Sequence, residues 1–387
     1  MRTLEFIRGL GLGGAEALLV SRLSTPEALE WGTAVVNTQP AQDHYQASLE
    51  DLGVPVTNLP GNVVTSSWRT WRLAASVDHD CVLISHSPSI GLILKLRRAL
   101  GLGRMQTLVD VVHNSSFRRA YMLLGRVLNR FADSVVFVGY DVSKSDTAHG
   151  YRQVCVVHGG VPVKRFEAWF RANRNFTADA RRLAGVPPSS LMLVAVGGLT
   201  TVKNHSLAID AVALLQSDYH LVIVGDGVER EALEVQARYR QVPVYFAGRQ
   251  PDAWRWIGVA DALIHTSLYE GLPVVLMEAA ALGIPIVATP FQGVIEMHQA
   301  AALIVVSDDH GAASVARAVE RMASVLNESA DHPLPTSREY WSNERFARDF
   351  YGAIARTVAM RSLKRPGAAA RAVENAIGRS FVRGWRR

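Results

Sequence analysis

The sequence predicts an α/β protein of two doubly wound domains, each a parallel sheet flanked by helices. Short apolar runs of strand length alternate with helical stretches along the chain, the pattern of repeated strand–helix–strand units. At 387 residues the chain exceeds the size at which a single core keeps growing. Apolar residues make up 49% of it, enough for two cores.

In chain order, TLEFI, TAVVN, PVTNL, CVLIS, TLVDVV, SVVFVG and VCVV are the strands of the first half. GGVPVKRFEAWF closes that half, so a first domain is expected over residues 1–170. The polar, Arg-rich stretch 171–188 reads as the linker and entry to a second domain over 171–345. There LMLVAVGG, HLVIVGDG, VYFAGR, ALIHTS, PIVATP and ALIVV supply the second sheet. A C-terminal helix over 346–362 and a basic tail over 363–387 follow.

Composition narrows the setting. No stretch of about 20 apolar residues lacks charge, so no spanning helix is expected, and the N-terminus has no signal-peptide pattern. Cys81 and Cys155 sit in apolar strand-like runs and read as reduced thiols of a cytosolic protein, neither disulfide nor metal site. Charge is concentrated at the end. Residues 361–387 hold eight Lys or Arg against Glu374, a balance of +7 in a chain of net +6, which leaves −1 elsewhere. With Val373, Ile377, Phe381, Val382 and Trp385 partly at helical spacing, the tail reads as a basic amphipathic segment for an anionic membrane surface. A second basic cluster, Lys95, Arg97, Arg98, Arg104, Arg118, Arg119, Arg126 and Arg130, is interleaved with Phe117, Tyr121, Leu124 and Leu128. The plain alternative for both is a solvated face or a disordered tail. Nucleic acid is not expected, because no recognisable nucleic-acid module accompanies the charge.

The stretch 260–296 is the most informative about function. ADALIHT reads as a strand, VVLMEAAAL as a helix with Pro273 at its first position, and Gly283 with Pro285 as its stop. Glu270 therefore lies in a strand-to-helix loop, and Glu278 lies eight positions later inside the helix. In an open parallel sheet such loops line the ligand crevice. The free N–H groups at Leu272 and Val274 to Val275 suit a phosphate. Glu278 is flanked by Met277 and by the Ala279–Leu282 run, so burial needs a partner for it, and vicinal hydroxyls such as those of a ribose would serve. The plain alternative makes Glu270 a helix cap and Glu278 a solvated side chain.

Gly9, Gly11 and Gly14 form G-x-G-x-x-G after the first strand, the spacing of a dinucleotide fingerprint. The second strand, however, ends in Asn37, where a dehydrogenase carries an acid for the ribose. These glycines read better as a loop that approaches a phosphate or an acceptor closely. No Asp-x-Asp pair stands at the carboxyl end of a strand, so no divalent ion is implied.

The Glu270 to Glu278 segment resembles the glutamate-x7-glutamate signature of family 4 retaining glycosyltransferases. Other landmarks of that family follow the same order. GLGGAEALL, with Gly13, Gly14 and Glu16, is similar to the N-terminal glycine loop, and VDVVHNSS places His113 at the matching histidine. VAVGGLTTVKNHSLAIDAVALL holds Lys203 at the position of the diphosphate-binding lysine; LVIVGDGVEREAL and the stretch from Phe246 to Arg249 precede the signature. The resemblance spans residues 3–350. It implies the GT-B fold, two Rossmann-like domains facing across a cleft, with acceptor binding in the first, nucleotide-sugar binding in the second, and a C-terminal helix that returns to the first.

The resemblance also implies roles. His113, Lys203 and Glu270 become the catalytic candidates, with His113 and Glu270 at the transferred sugar and Lys203 at the diphosphate. Gly13, Gly14, Gly198, Arg249, Gly271, Leu272, Pro273 and Glu278 become donor-binding candidates, with Glu278 on the ribose. The implied reaction moves a sugar, with retention and without metal or cofactor, from a nucleotide sugar, UDP-sugars being commonest in the family, to a glycan or lipid-linked hydroxyl. The implied location is cytoplasmic, at the membrane face. One departure counts against turnover: the family's arginine five residues before the lysine is Gly198 here. Arg249 is the nearest motif candidate to replace it. The alternative function is a catalytically degenerate relative that binds a nucleotide or glycan as an accessory subunit. Gly159 and Pro162 also replace a common asparagine and aspartate, at positions that mainly shape a turn.

Overall fold

The structure is a computed structural model that describes residues 1–40, 43–102, 106–113, 119–215, 218–291, 293–299, 303–328 and 338–363. Among these, thirteen strands form two wholly parallel sheets. The first contains β1 (Thr3–Ile7), β2 (Thr33–Asn37), β3 (Val56–Asn58), β4 (Val82–Ser85), β5 (Thr107–Val112), β6 (Ser134–Phe137) and β7 (Val154–Val156). The second contains β8 (Leu191–Val196), β9 (Tyr219–Val224), β10 (Val244–Gly248), β11 (Ala262–His265), β12 (Ile286–Ala288) and β13 (Ile304–Val306). Every predicted strand run holds one of them.

The sheet orders are β3-β2-β1-β4-β5-β6-β7 and β10-β9-β8-β11-β12-β13. Both are doubly wound, and the order reverses between β1 and β4 in one and between β8 and β11 in the other. Such a reversal opens a crevice outside the carboxyl ends of the strands, where ligands bind. The strands are apolar because helices cover both faces of a parallel sheet. Val35 and Val36, adjacent in β2 and so on opposite faces, are both fully buried.

The chain divides into Met1–His158 with the stretch from Phe346, and Gly159–Arg345. The core of the first unit is built on Leu4, Phe6, Leu83 and Leu108 with Ile90 and Leu94. That of the second sets Leu193, Leu221, Ile223 and Ile264 against helices His205–Val212 and Ala312–Glu328.

Four expectations need correction. The boundary lies at Gly159 and not after residue 170. Val161 N–H donates to the Trp341 carbonyl at 2.8 Å, and helix Val163–Ala172 stacks Phe166 on Trp254 with ring centroids 4.5 Å apart, so this segment packs into the second unit. The expected linker over 171–188 holds helix Phe176–Leu183, where Arg181 pairs with Asp261 at 3.1 Å. Pro273 precedes helix Val274–Leu282 as its cap instead of opening it, while Gly283, at φ 75°, closes it in the left-handed conformation. The last correction concerns the basic cluster of the first unit. Lys95, Arg97 and Arg98 are buried on Asp110, Gln106 and Asp133.

The final helix is Asn343–Leu363, and from Phe346 it belongs to the first unit. Thr357 Oγ1 donates to Ser134 Oγ at 2.9 Å, and Arg361 pairs with Asp133. The basic tail beyond residue 363, and Arg104, Phe117 and Arg118, lie outside the described residues. Among the described residues no helix is long and apolar enough to cross a membrane.

Candidate active site

In the second unit the reversal point is formed by the loops after β8 and β11. Gly197 turns the chain out of β8, and Asn204, at φ 50°, starts helix His205–Val212. The two loops are tied together: Leu268 N–H donates to the Val202 carbonyl at 2.9 Å, and Thr266 Oγ1 donates to the Asn204 carbonyl at 2.8 Å. A third loop backs them closely. A Cβ on Gly225, which has φ +154°, would lie 1.9 Å from the Gly197 carbonyl oxygen, so only glycine permits this approach.

These ties bring two catalytic candidates together. Lys203 Nζ donates to Glu270 Oε1. The Lys203 stem lies over Gly197, whose missing side chain leaves it room. Ser267 Oγ donates to the same Glu270 oxygen at 2.9 Å, and His265 Nε2 lies 3.3 Å from it without hydrogen-bond alignment. Burial alone would raise the Glu270 pKa, but His265 and Lys203 reverse that and hold it at about 2. Glu270 is thus a carboxylate at any physiological pH. Beneath it, His205 is pushed down to about 4 by burial, then by His265 and Lys203, so it adds no second cation.

Glu278 stands apart from this pair, on helix Val274–Leu282. It makes no hydrogen bond or ion pair with any described residue. Burial among apolar neighbours, helped by the charge of Asp252, pushes its pKa up to about 8. A half-buried carboxyl without a partner is a site that a ligand hydroxyl can complete. Gly271, Leu272 and Pro273, which precede the helix, are buried. A Cβ on Gly293 would fall 1.8 Å from the Gly271 carbonyl oxygen, so this turn too is held by close backbone packing.

Gly198 has open space: a Cβ there meets nothing nearer than Thr200 Cγ2 at 3.9 Å. Arg249 follows Gly248, which is level in register with Val224 of β9, and Val224 is level with Val196 of β8. It is exposed and has no side-chain partner among the described residues. It therefore stands at the correct end of the sheet, on the edge strand two places from β8.

The first unit carries His113, Gly13 and Gly14. Gly13 caps helix Gly14–Leu23, and a Cβ on it would lie 2.2 Å from Glu16 Oε2. The Glu16 carboxylate thus lies over the helix start, where an incoming phosphate would meet like charge. His113 follows β5, and its Nε2 lies 3.1 Å from His86 Nδ1. Behind it stands a network that sequence reasoning missed. His86 Nε2 is 2.8 Å from Glu5 Oε2, Arg22 Nη2 donates to that same oxygen at 2.5 Å, and Arg22 Nη1 donates to Tyr351 Oη at 2.6 Å. Burial, then the neighbouring His86 and Arg22, holds His113 well below its usual pKa. One signal was available for this network and for His265: Glu5 is an acid inside the buried strand TLEFI, and His265 ends ALIH.

Two parallel sheets with reversed strand orders, one carrying a lysine–carboxylate pair at its reversal, define a protein of two Rossmann-like units. Residues 178–343, most of the second unit, match the family model described as glycosyl transferases group 1. The lipopolysaccharide core biosynthesis glycosyltransferase LpsE of Rhizobium meliloti is 32% identical over 131 residues, 32% of this chain and 38% of that protein. An N-acetylgalactosaminyltransferase of Campylobacter jejuni, named for a diphospho-undecaprenol acceptor, is 24% identical over 165 residues, 42% of this chain and 45% of that protein. The match spans less than half the length of these relatives. Anabaena HepE, solved with UDP and glucose, has a TM-score of 0.76 at 17% identity, covering 92% of this chain and 100% of that one. That likeness establishes the fold, GT-B.

Proposed function

We propose that this protein is a retaining glycosyltransferase. It moves a sugar from a nucleotide sugar, with UDP-sugars favoured, to a hydroxyl of a glycan or lipid-linked acceptor in polysaccharide, O-antigen or glycolipid synthesis. The observation that carries this reading is the Lys203–Glu270 pair at the reversal between β8 and β11. The HepE complex with UDP and glucose supports the donor class, and the lipid-linked acceptor in the Campylobacter enzyme's name supports the acceptor class.

Chemically, the donor diphosphate competes with Glu270 for Lys203. The ammonium then neutralises the charge that grows as the sugar–phosphate bond breaks, and Glu270 turns to the sugar hydroxyls. Glu278 accepts from the ribose, Gly271 to Pro273 shape the loop that leads to helix amides at the phosphates, and Arg249 supplies the contact that Gly198 lacks. His113 serves the transferred sugar, and the acceptor proton passes to the leaving diphosphate on the face it departs from. No metal is required in this scheme, so transfer persists in EDTA. A panel of UDP-, GDP- and ADP-sugars tested by calorimetry and then by transfer assay checks the reading. Absence of binding to every donor would refute it.

A second reading, an accessory protein that binds without turnover, is favoured by Gly198 alone. Binding of a donor with neither hydrolysis nor transfer to any acceptor would select it.

The reading includes peripheral attachment to the cytoplasmic membrane face. Within the proposed basic cluster Arg126 and Arg130 have side chains exposed to solvent, whereas Lys95, Arg97 and Arg98 are buried. The support is instead apolar. Leu96, Leu100 and Leu102, at the end of helix Pro88–Ala99 and beyond it, and Leu123, Leu124 and Val127 on the neighbouring helix Arg119–Leu128 are all exposed. Co-sedimentation with anionic vesicles that Leu123→Ser with Leu124→Ser leaves unchanged would remove this surface from the account.

A further inference from the structure

We propose that Glu5 and His86 are positioning residues that fix His113 in one tautomer, proton on Nε2 and lone pair on Nδ1, so that His113 recognises a sugar hydroxyl and not an anion. The recognition half rests on the reading of His113 as a group at the transferred sugar.

With one proton on His86, the chain of donors and acceptors runs in one direction. Glu5 is fully buried, and its carboxylate can only accept. Its Oε2 takes Arg22 Nη2 at 2.5 Å and His86 Nε2 at 2.8 Å, so the His86 proton is on Nε2. Arg22 already balances the Glu5 charge, so the set needs no second proton on His86. Its Nδ1 is then a lone pair, and the neighbouring His113 Nε2, 3.1 Å away, must donate to it. The remaining His113 nitrogen, Nδ1, is left as an acceptor, and it is buried without a partner among the described residues. An unsatisfied buried acceptor is costly unless a ligand completes it. A hydroxyl donates to such an atom; a phosphate oxygen is repelled by it.

The support behind the tautomer is rigid. The Arg22 guanidinium lies 4.0 Å from the Phe350 ring centroid and donates to Tyr351, whose ring stacks on Trp31 at 4.9 Å. Among the described residues, the groups that face the two histidines are therefore Glu5 from β1, Arg22 from helix Gly14–Leu23 and, through Arg22, Tyr351 from the final helix. This is the logic by which a buried carboxylate sets an imidazole tautomer in hydrolytic triads, extended by one ring.

The test is nitrogen NMR of the histidine rings in the full-length protein near neutral pH, together with calorimetry of UDP-glucose and UDP on wild type, His86→Phe and His113→Phe. We expect His113 protonated on Nε2 only. We also expect the UDP-glucose to UDP affinity ratio to fall about tenfold in His113→Phe, the effect of one lost hydrogen bond, with UDP affinity itself unchanged. In His86→Phe the His113 tautomers should mix and the ratio should fall part of the way. A His113 proton on Nδ1, or an imidazolium, overturns the tautomer assignment and leaves the sugar-contact reading standing. The expected tautomer with an unchanged ratio in His113→Phe overturns the sugar-contact reading and with it the recognition role. Should His86→Phe fail to fold, the wild-type spectrum and His113→Phe still decide.

Discussion

Lys203 and Glu270, 67 positions apart in sequence, form an ion pair across the reversal point of the second sheet. The pair explains why the two residues belong to one site. Each screens the other's charge, and in the proposed reaction the donor diphosphate displaces Glu270 to reach the lysine.

Glu270 should carry part of the acid stability. Its folded pKa, about 2, lies below the ordinary 4.5, so its contribution is fully present above about pH 4.5 and is lost as pH falls toward 2. The size is on the order of 3 kcal/mol. Urea unfolding of wild type and Glu270→Gln between pH 7 and pH 3 measures it, and the gap between the two should narrow in acid.

Glu278 has the opposite sign. Its folded pKa, about 8, lies above 4.5, so its contribution is fully present below pH 4.5 and is lost as pH rises through 8. Ionisation also leaves both oxygens to accept from a ribose, and as stronger, charge-assisted acceptors. Nucleotide affinity should therefore rise from pH 7 to pH 9 in wild type and stay flat in Glu278→Gln, as read by calorimetry at each pH.

Gly198→Arg should fold. A side chain there starts in ordinary contact with Thr200, and the backbone is not left-handed. A guanidinium near the diphosphate adds charge-assisted hydrogen bonds, so nucleotide affinity should rise about tenfold or more. An unchanged affinity would show that Arg249 or the backbone already fills that role.

Gly225→Ala should destabilise the second unit by about 2 kcal/mol or more, because the methyl group collides with the Gly197 carbonyl and the φ of +154° is strained for alanine. A thermal melt reads this directly. Gly185→Ala, strained at φ +67° but with nothing within 4 Å, is the milder control.

Sequence periodicity was sufficient for the sheets because strands covered on both faces are apolar throughout, as LMLVAV and TLVDVV show. Glu270 and Lys203 were legible through motif spacing and strand–loop–helix context. What was not legible depends on partners distant in the chain. The domain boundary turns on Phe166 meeting Trp254, 88 positions later. Lys95, Arg97 and Arg98 read as a charged face, yet Asp110, Gln106 and Asp133 draw them inside, and no local pattern encodes that choice. Glu5 and His86 are single polar residues in and after apolar strands, without a spacing that announces a network.

The central claim, that Lys203 and Glu278 hold a nucleotide sugar in the second unit, is tested most directly by calorimetry of UDP-glucose with wild type, Lys203→Ala and Glu278→Ala. The account predicts that Lys203→Ala weakens binding by about 2–5 kcal/mol and that Glu278→Ala abolishes it. Equal affinity in all three proteins would contradict it.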